Sequence, residues 1–507
     1  MPNPSESEKV NPFNLSEKKI IDIIYKYHGE PDDSFDEDSL FIIVRNILTR
    51  STQIVDEVML RGGGKAYAEK IAEQIPKPNF IVPLTILKQI GCELSCCKAL
   101  DSETAHDTTV EILKKLKEYK WQAKAVMTLA SFAMEFGDFS LLVDLDHSNK
   151  QDQLTRSLGI LKGASSLINA TPDNLSQKQR RDDVVNLNEL IKKTLEVMKI
   201  IIAIEERASY DPTAMSEIPT SAYVYWIINT VTVCASKISI LTSKEGVASD
   251  ALYDFYDGKV EGIKRKVTEY LEHFLQVEEE HKRFTELLKL SYDPKRVTEF
   301  LKGLLLTKDS KDTKIIDASD DISYKTIEIN AITEKKRLLI ILSRPEISEA
   351  EIDIIRTIQI KKIKDEKLDK DYGIVWMPIA EEKRQEYENA QKDFGGWVKS
   401  TKKIQWYSTT RFVSEAPVIH FLKEKWYFKS DPIVVVLNVA QGIVENLNAF
   451  YTIRLWGLDA FPYDEETEKK KFNEMTWVHT LFKDSTEFSP KWIRFHYHYR
   501  NSISTLL

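Results

Sequence analysis

The chain has 507 residues, of which 42% are hydrophobic and 30% charged, a composition typical of a globular protein with roughly two to four domains. Its 17 glycines and 17 prolines fall well below the usual combined share of about 12%, which excludes collagen-like and low-complexity classes and favours a mostly helical chain. The net charge of −8 disfavours a general nucleic-acid binder, because the protein as a whole repels phosphate.

The start of the chain and its cysteines predict a cytoplasmic protein. Residues Met1 to Glu17 contain no apolar segment of the kind that a secretory signal needs. The four cysteines are too few for a disulfide scaffold and suit a reducing compartment.

The first part of the chain predicts a large all-α domain. Apolar side chains recur three and four residues apart from Ser39 to Thr49 and from Asp182 to Glu206, as the buried stripe of a helix requires. Trp121 to Phe136 is apolar over most of its circumference, which predicts a helix covered on several sides and ended by Gly137. Gly258 to Lys289 predicts a long helix, either packed into its own domain or forming a partner-binding coiled coil.

One apolar stretch, Ala222 to Ser236, needs to be considered as a membrane span. It is 15 residues long before Lys237, whereas a helix that crosses ~30 Å of hydrocarbon needs about 20. It also contains Asn229 and two threonines. We therefore predict a buried core helix here and no membrane span.

The composition changes after Lys302. Thr307 to Asp321 is polar and charged and predicts an interdomain linker, whereas Arg337 to Ser343 is a continuous apolar run typical of a strand buried on both faces. Further strands are predicted at Tyr372 to Ile379, at Pro432 to Asn438 and within Asn448 to Leu455. Helices are predicted between them at Ile347 to Ile363, Glu381 to Lys402 and Pro417 to Lys425.

In this order of strands and helices, the first two strands are expected to be parallel and the last two antiparallel. That is the order of a thioredoxin-like domain. The fold prediction is therefore α+β and multidomain, with a large all-α N-terminal domain followed by an α/β thioredoxin-like domain. The predicted boundaries are a helical domain at 1–300, a polar linker at 301–332, the thioredoxin-like domain at 333–465 and a C-terminal tail at 466–507. The fold analogy also suggests a cis-proline at Pro432.

The turn after the first core strand carries no redox pair. Redox thioredoxins place Cys-x-x-Cys there, whereas this chain has the sequence Ser343-Arg344-Pro345-Glu346, and no cysteine follows Cys234. The sequence also lacks phosphate-loop, dinucleotide-binding and hydrolase motifs. We predict that the protein is not an enzyme and has no catalytic or cofactor-binding residues.

Metal binding is considered at several clusters. The candidates for weak calcium binding share one acidic run, in which a divalent cation would relieve repulsion: Asp32, Asp33, Asp36, Glu37 and Asp38. Solvated acids that begin a helix are the alternative. A second acidic group consists of Asp317, Asp320 and Asp321. Zinc binding is a further possibility at two groups. For Cys92, Cys96, Cys97 and His106 the alternative is a buried role, and for His479, His496 and His498 it is a surface tail.

Two separate segments resemble the sieve element occlusion proteins of flowering-plant phloem. The helix that begins at Trp121 has the pattern W-x-A-K-A-V-x-T-L-A-x-F-A, and the segment that begins at Trp456 reads W-G-x-x-A-F-P-[FY]. Both occur in the family's order, and the resemblance extends from about Asn11 to about Trp477.

The resemblance implies a structural protein without catalytic residues. Such proteins assemble into the phloem filaments called P-protein and, in legumes, into forisomes, which swell with calcium without hydrolysing nucleotides. It implies a cytoplasmic location in sieve elements, a part in sieve-plate occlusion, wound sealing and phloem development, and partners that are further copies of the chain and related proteins. It also implies no nucleic-acid partner and no cofactor beyond weakly bound calcium.

The C-terminal part departs from the family pattern. Relatives usually continue past the position of Trp477 into a cysteine-rich segment, whereas Val478 to Leu507 is aromatic and carries histidines. We therefore expect a shortened or divergent C-terminus. A truncated paralogue or regulator that co-assembles with full-length relatives is the alternative function, and a degenerate thioredoxin-like oxidoreductase is a more remote one.

Overall fold

The computed structural model describes residues 11–31, 35–61, 82–96, 101–148, 153–161, 175–242, 250–289, 294–306, 314–319, 324–364, 370–381, 384–402 and 406–474. The chain divides into two compact units, Met1–Leu275 and Gln276–Leu507. The first is helical and the second contains a mixed sheet with helices, so the α+β multidomain prediction is confirmed.

The first unit is built from amphipathic and apolar helices. Its described helices are α1 (Glu17–Ile24), α2 (Glu37–Arg61), α3 (Leu84–Cys96), α4 (Ser102–Lys115), α5 (Trp121–Ser148), α6 (Gln153–Leu161), α7 (Leu175–Glu205), α8 (Pro212–Glu217), α9 (Thr220–Thr242) and the first part of α10 (Asp250–Lys289). The apolar stripe predicted between Asp182 and Glu206 lies in α7 and is buried, because it packs into the single core of this unit.

The helix α5 does not end where the sequence predicted. It continues past Gly137 to Ser148, and a Cβ atom on Gly137 would lie only 3.0 Å from Cγ2 of Ile47 on α2. The glycine therefore permits a close approach of two helices and does not act as a helix stop.

The apolar helix α9 is longer than the 15 residues that the sequence analysis considered. It has 23 residues, and every residue from Ser221 to Cys234 is buried. By length and composition both α9 and Trp121–Asp144 could cross a membrane, but 78% of the most apolar window of each is buried inside the protein. Length alone thus excludes nothing here, and the burial favours core helices.

The second unit contains a seven-stranded sheet among its described residues. The strands are β1 (Lys314–Asp317), β2 (Lys325–Glu328), β3 (Arg337–Ser343), β4 (Tyr372–Pro378), β5 (Tyr407–Ser408), β6 (Ile433–Asn438) and β7 (Ile443–Asn446), in the spatial order β2-β1-β5-β4-β3-β6-β7. Strand β3 pairs in parallel with β4 and antiparallel with β6, and β6 pairs antiparallel with β7.

Helices cover both faces of this sheet. After α10 they are α11 (Pro294–Leu305), α12 (Asn330–Thr333), α13 (Glu349–Lys364), α14 (Gln385–Gln391), α15 (Phe394–Lys402), α16 (Ala416–Lys425), α17 (Phe450–Trp456) and α18 (Glu465–Glu474). Along β3, Leu338 and Ile340 face one core and Leu339 and Ile341 face the other. This burial on two sides explains why β3 is a continuous apolar run.

The interval 301–332 differs from the polar linker that the sequence predicted. It contains the end of α11 and the strands β1 and β2, and Ile315 on β1 is fully buried. Helix α11 also packs into the core of the second unit, so the structural boundary precedes residue 300 and lies within α10.

Two further local predictions are wrong. The segment predicted as a fourth strand, Asn448 to Leu455, contains α17, and the strand lies earlier, at β7. The cis peptide bond recorded among the described residues lies at Phe461–Pro462 and not at Pro432.

Candidate functional site

The acidic run considered for calcium lies at the start of α2. Asp32 and Asp33 are outside the described residues. Asp36 caps the helix, since its Oδ1 accepts a hydrogen bond from the backbone N–H of Ser39 at 2.9 Å, and Glu37 and Asp38 occupy the first helical turn. Negative charges at this position are favourable because the helix N-terminus carries a partial positive charge.

The carboxylates in this region repel one another. Partial desolvation, followed by the charge of Glu37, raises the pKa of Asp38, and desolvation raises that of Glu205 at the end of α7. Both side chains remain largely exposed, so solvent screens the effect. In the described part of the run, the acids do not form a group of three ligand atoms within 4.8 Å of one another. A capping role therefore accounts for Asp36, and calcium binding stays a prediction.

The turn after β3 lines a cleft of about 390 Å³. Ser343 is one of the lining residues: Trp376 Nε1 donates a hydrogen bond to Ser343 Oγ at 2.9 Å, and Ser343 Oγ donates to the carbonyl of Arg344 at 2.8 Å. The hydroxyl thus accepts from one structural partner and donates to another, and among the described residues no base that would activate it as a nucleophile is hydrogen-bonded to it. The remaining lining is mainly charged and includes Glu346 and Arg384.

The cysteine and histidine considered for zinc do not come together in the described structure. Cys92 and Cys96 are exposed on α3, and Cys97 lies outside the described residues. His106 is buried, and its Nδ1 lies 2.7 Å from the hydroxyl of Tyr225. His106 is therefore part of a core hydrogen-bond network. Of the other candidates, Asp317 is described at the end of β1, whereas Asp320, Asp321, His479, His496 and His498 lie outside the described residues.

That core network extends from α4 to α10. The Nδ2 of Asn229 donates to the Tyr225 hydroxyl oxygen at 3.1 Å, and the Tyr256 hydroxyl donates to Asn229 Oδ1. All four side chains are buried, and burial lowers the pKa of His106 and raises that of Tyr225. These groups stay neutral and satisfy one another, as buried polar groups must.

Three potential metal ligands converge in the second unit. They are His281 on α10 and His420 and Glu424 on α16, and one ligand atom from each lies within 4.8 Å of the others. His281 Nε2 lies 2.7 Å from Glu424 Oε2, and His420 Nε2 lies 3.6 Å from the same oxygen. His281 is 6% exposed, whereas Glu424 is 45% exposed, so the cluster reaches from the core to the surface.

The pKa values of His281 and Glu424 both lie below their ordinary values. Burial, and then the neighbouring His420, lower the pKa of His281, so its imidazole is neutral near pH 7. Desolvation alone would raise the pKa of Glu424, but the hydrogen bond from Lys425, and then the charge of that lysine, lower it overall. The cluster thus contains a neutral imidazole beside an ionised carboxylate.

The sequence analysis missed this cluster. His420 and Glu424 stand four residues apart on a predicted helix, and this spacing places them on one face. That signal was present in the sequence. The third member, His281, belongs to a distant helix, and only the tertiary fold brings it there.

The two units define an α+β protein in which a helical region precedes a mixed sheet, and comparisons with known proteins identify its family. The family model for the sieve element occlusion N-terminus matches residues 15–295. The chain therefore belongs to the sieve element occlusion family, as the sequence resemblance predicted.

Curated relatives extend the similarity beyond the helical unit. The chain is 24% identical to Protein SIEVE ELEMENT OCCLUSION B of Arabidopsis thaliana over 94% of its own length and 64% of that protein. It is 24% identical to Protein SIEVE ELEMENT OCCLUSION A of the same plant, over 94% of this chain and 57% of that protein. It is 22% identical to Protein SIEVE ELEMENT OCCLUSION C of the same plant, over 76% of this chain and 58% of that protein. The chain thus spans less than two thirds of these relatives, and no solved structure matches it.

Proposed function

We propose that this protein is a structural subunit that self-assembles into filaments in phloem sieve elements and contributes to their occlusion. The observation that carries the proposal is the family match over residues 15–295, together with relatives named for sieve element occlusion that align over 94% of the chain. The proposed location is the cytoplasm of the sieve element, and the proposed partners are further copies of the chain and related family members.

The proposal includes a thioredoxin-like fold without redox chemistry in the second unit. The strand order β4-β3-β6-β7, with one parallel and two antiparallel pairs, supports this fold. Ser343 stands where a redox protein would need a thiol, and its hydroxyl is engaged by Trp376 and Arg344. An insulin-reduction assay should give no rate above the uncatalysed background. A rate that depends on this protein would contradict a purely structural role.

Calcium responsiveness is a further part of the proposal. The acidic run from Asp32 to Asp38 would bind calcium with a dissociation constant on the order of 10⁻⁴ to 10⁻³ M, because a site with few carboxylate ligands is weak. Changing Asp32, Asp33 and Asp36 together to Asn should blunt any calcium response. Since Asp36 also caps α2, the matched control is Asp36→Asn alone, which keeps a capping side chain.

Assembly is tested by light scattering and negative-stain imaging of the purified chain across protein and calcium concentrations. Filaments or large bodies that grow with protein concentration are expected, because a non-closing contact between identical chains produces open polymers. A strict monomer at high concentration, with and without calcium, would contradict self-assembly. Co-purification of that monomer with a longer relative would then support the alternative of a co-assembling partner.

A further inference from the structure

We propose that His281, His420 and Glu424 form a binding site for a divalent first-row transition metal, with Zn²⁺ as the best fit. Among the described residues, these three side chains are the group of potential metal ligands whose donor atoms all lie within 4.8 Å of one another. The site is independent of the proposed assembly function.

The donor set selects the class of metal. Two imidazole nitrogens and one carboxylate oxygen suit Zn²⁺ and its neighbours in the first transition row. Calcium instead takes six to eight oxygen ligands, which two histidines do not provide. The site is therefore distinct from any calcium site on the acidic run of α2.

The separations of the donor atoms can be compared with those of a tetrahedral site. With metal–ligand distances near 2.1 Å, neighbouring donor atoms of a tetrahedral zinc lie about 3.4 Å apart. His420 Nε2 and Glu424 Oε2 are 3.6 Å apart, which fits. His281 Nε2 and Glu424 Oε2 are closer, at 2.7 Å, because they share a hydrogen bond that the metal would replace. The carboxylate is partly exposed, so it can move by the required ~0.7 Å.

Rigid elements hold the ligands in place. His420 and Glu424 lie one turn apart on α16, and Phe421 between them is fully buried in the core of the second unit. The Phe421 ring lies 6.3 Å from that of His281 and 5.6 Å from that of Trp426. Ligands on packed helices are better preorganised than ligands on loops.

A neighbouring lysine orients the carboxylate. Lys425 Nζ lies 2.8 Å from Glu424 Oε1, which leaves Oε2 turned towards the histidines. Groups that hold a ligand in this way commonly tune metal affinity. Three protein ligands leave a fourth position of the tetrahedron for water or another donor.

The test is a zinc titration of the full chain, stripped with a chelator, in competition with a chromogenic zinc indicator. We expect about one equivalent of Zn²⁺ bound at this site, as one ligand set per chain requires. His420→Ala and Glu424→Gln should each weaken this equivalent by more than about 100-fold, because even groups beyond the direct ligands account for about 10- to 100-fold. Both side chains lie nearer the surface than His281, so these variants are the ones expected to fold, which circular dichroism checks.

Matched controls separate this site from other donors. His273→Ala changes an exposed histidine of the first unit that lies 2.9 Å from Asp211, and it should leave zinc binding unchanged. A variant with Cys92, Cys96 and Cys97 changed to Ser removes three thiols of the first unit and should also retain the equivalent. Cobalt bound to the wild-type chain should show the visible bands of tetrahedral coordination without a sulfur charge-transfer band.

Three results would overturn the proposal. The first is retention of the zinc equivalent in folded His420→Ala and Glu424→Gln variants. The second is its loss in the cysteine variant, which would assign the metal to thiols. The third is displacement of zinc by a moderate excess of Ca²⁺, because a site with two imidazole ligands should strongly prefer zinc.

Discussion

Each unit of this protein places a histidine within hydrogen-bonding distance of an oxygen, but in opposite surroundings. His106 faces the Tyr225 hydroxyl in a fully buried network that closes on Asn229 and Tyr256. His281 faces the carboxylate of Glu424, which is 45% exposed and whose Oε1 lies 2.8 Å from Lys425 Nζ. In the first arrangement the buried polar groups hydrogen-bond to one another and stabilise the core. In the second, a partly exposed carboxylate is available to bind a ligand.

The largest expected effect on stability comes from removing one hydroxyl group from the buried network. Tyr225→Phe removes the hydroxyl partner of both His106 Nδ1 and Asn229 Nδ2. The expected loss is about 3 kcal/mol in the free energy of unfolding of the first unit, since each buried group left unpaired costs about 1–3 kcal/mol. Urea unfolding followed by tryptophan fluorescence measures it. Tyr25→Phe, at an exposed ring, is the matched control and should change stability by less than about 0.5 kcal/mol. Equal effects of the two changes would mean that the buried network does not stabilise the first unit.

The second effect is stabilisation by zinc. At a free concentration of about 100 times the dissociation constant, zinc should stabilise the second unit by about 2.7 kcal/mol. Glu424→Gln should abolish this gain, while its cost without zinc stays near 0.5 kcal/mol because the side chain is partly exposed. Thermal unfolding with and without zinc measures both quantities. A large loss of stability without zinc would mean that Glu424 is a structural group like Tyr225.

A buried lysine in the first unit extends the comparison to pH. Lys124 is buried, its Nζ lies 2.9 Å from His28 Nδ1, and desolvation lowers its pKa from 10.5 to about 8. Above pH 8 the folded protein binds fewer protons at this site than the unfolded chain, so stability should rise with pH by up to about 1.4 kcal/mol per unit.

Unfolding measured from pH 7.5 to 9 tests this rise. The upper limit matters because burial raises the pKa of Cys234 to about 12, and ionisation of the unfolded thiol lowers stability above its ordinary value of 9.0. Lys124→Met should flatten the profile. An unchanged slope in that variant would assign the pH dependence to another group.

The smallest expected effect concerns the charge beside the proposed metal ligand. Lys425→Met removes a cation 2.8 Å from Glu424 Oε1. The carboxylate then loses the group that turns Oε2 towards the histidines, and zinc affinity should fall by a few-fold, equivalent to about 0.5–1 kcal/mol for a partly exposed charge pair. A rise in affinity would mean that Lys425 acts mainly by repelling the metal ion.

The sequence predicted those parts of the fold in which one pattern dominates. Strand β3 was predicted with its observed bounds, because burial on both faces leaves an unbroken apolar run. Strand β7 was missed because it has four residues, including Glu445, whose charge is satisfied by Arg337 on another strand. Gly137 was misread because a glycine that ends a helix and one that admits a neighbouring helix look alike in sequence.

At the candidate sites, too, the sequence predicted local features but not contacts between distant parts of the chain. Asp36 was correctly placed at a helix start, since capping is a local property. His106 was grouped with nearby cysteines by its position in the chain, whereas its partner Tyr225 comes from a distant helix. The cluster of His281 with His420 and Glu424 depends on the same kind of distant contact, which no local spacing encodes.

The edge strands of the sheet bear on how chains could pack in a fibre. In the part of the sheet that the structure describes, the outer strands are β2 and β7, each of four residues, and both carry charged side chains. Short, charged edges discourage strand-by-strand growth from one molecule to the next. If the chain assembles as proposed, its filaments should therefore be stacks of intact folded chains, and their X-ray fibre pattern should lack the meridional reflection near 4.7 Å that marks amyloid.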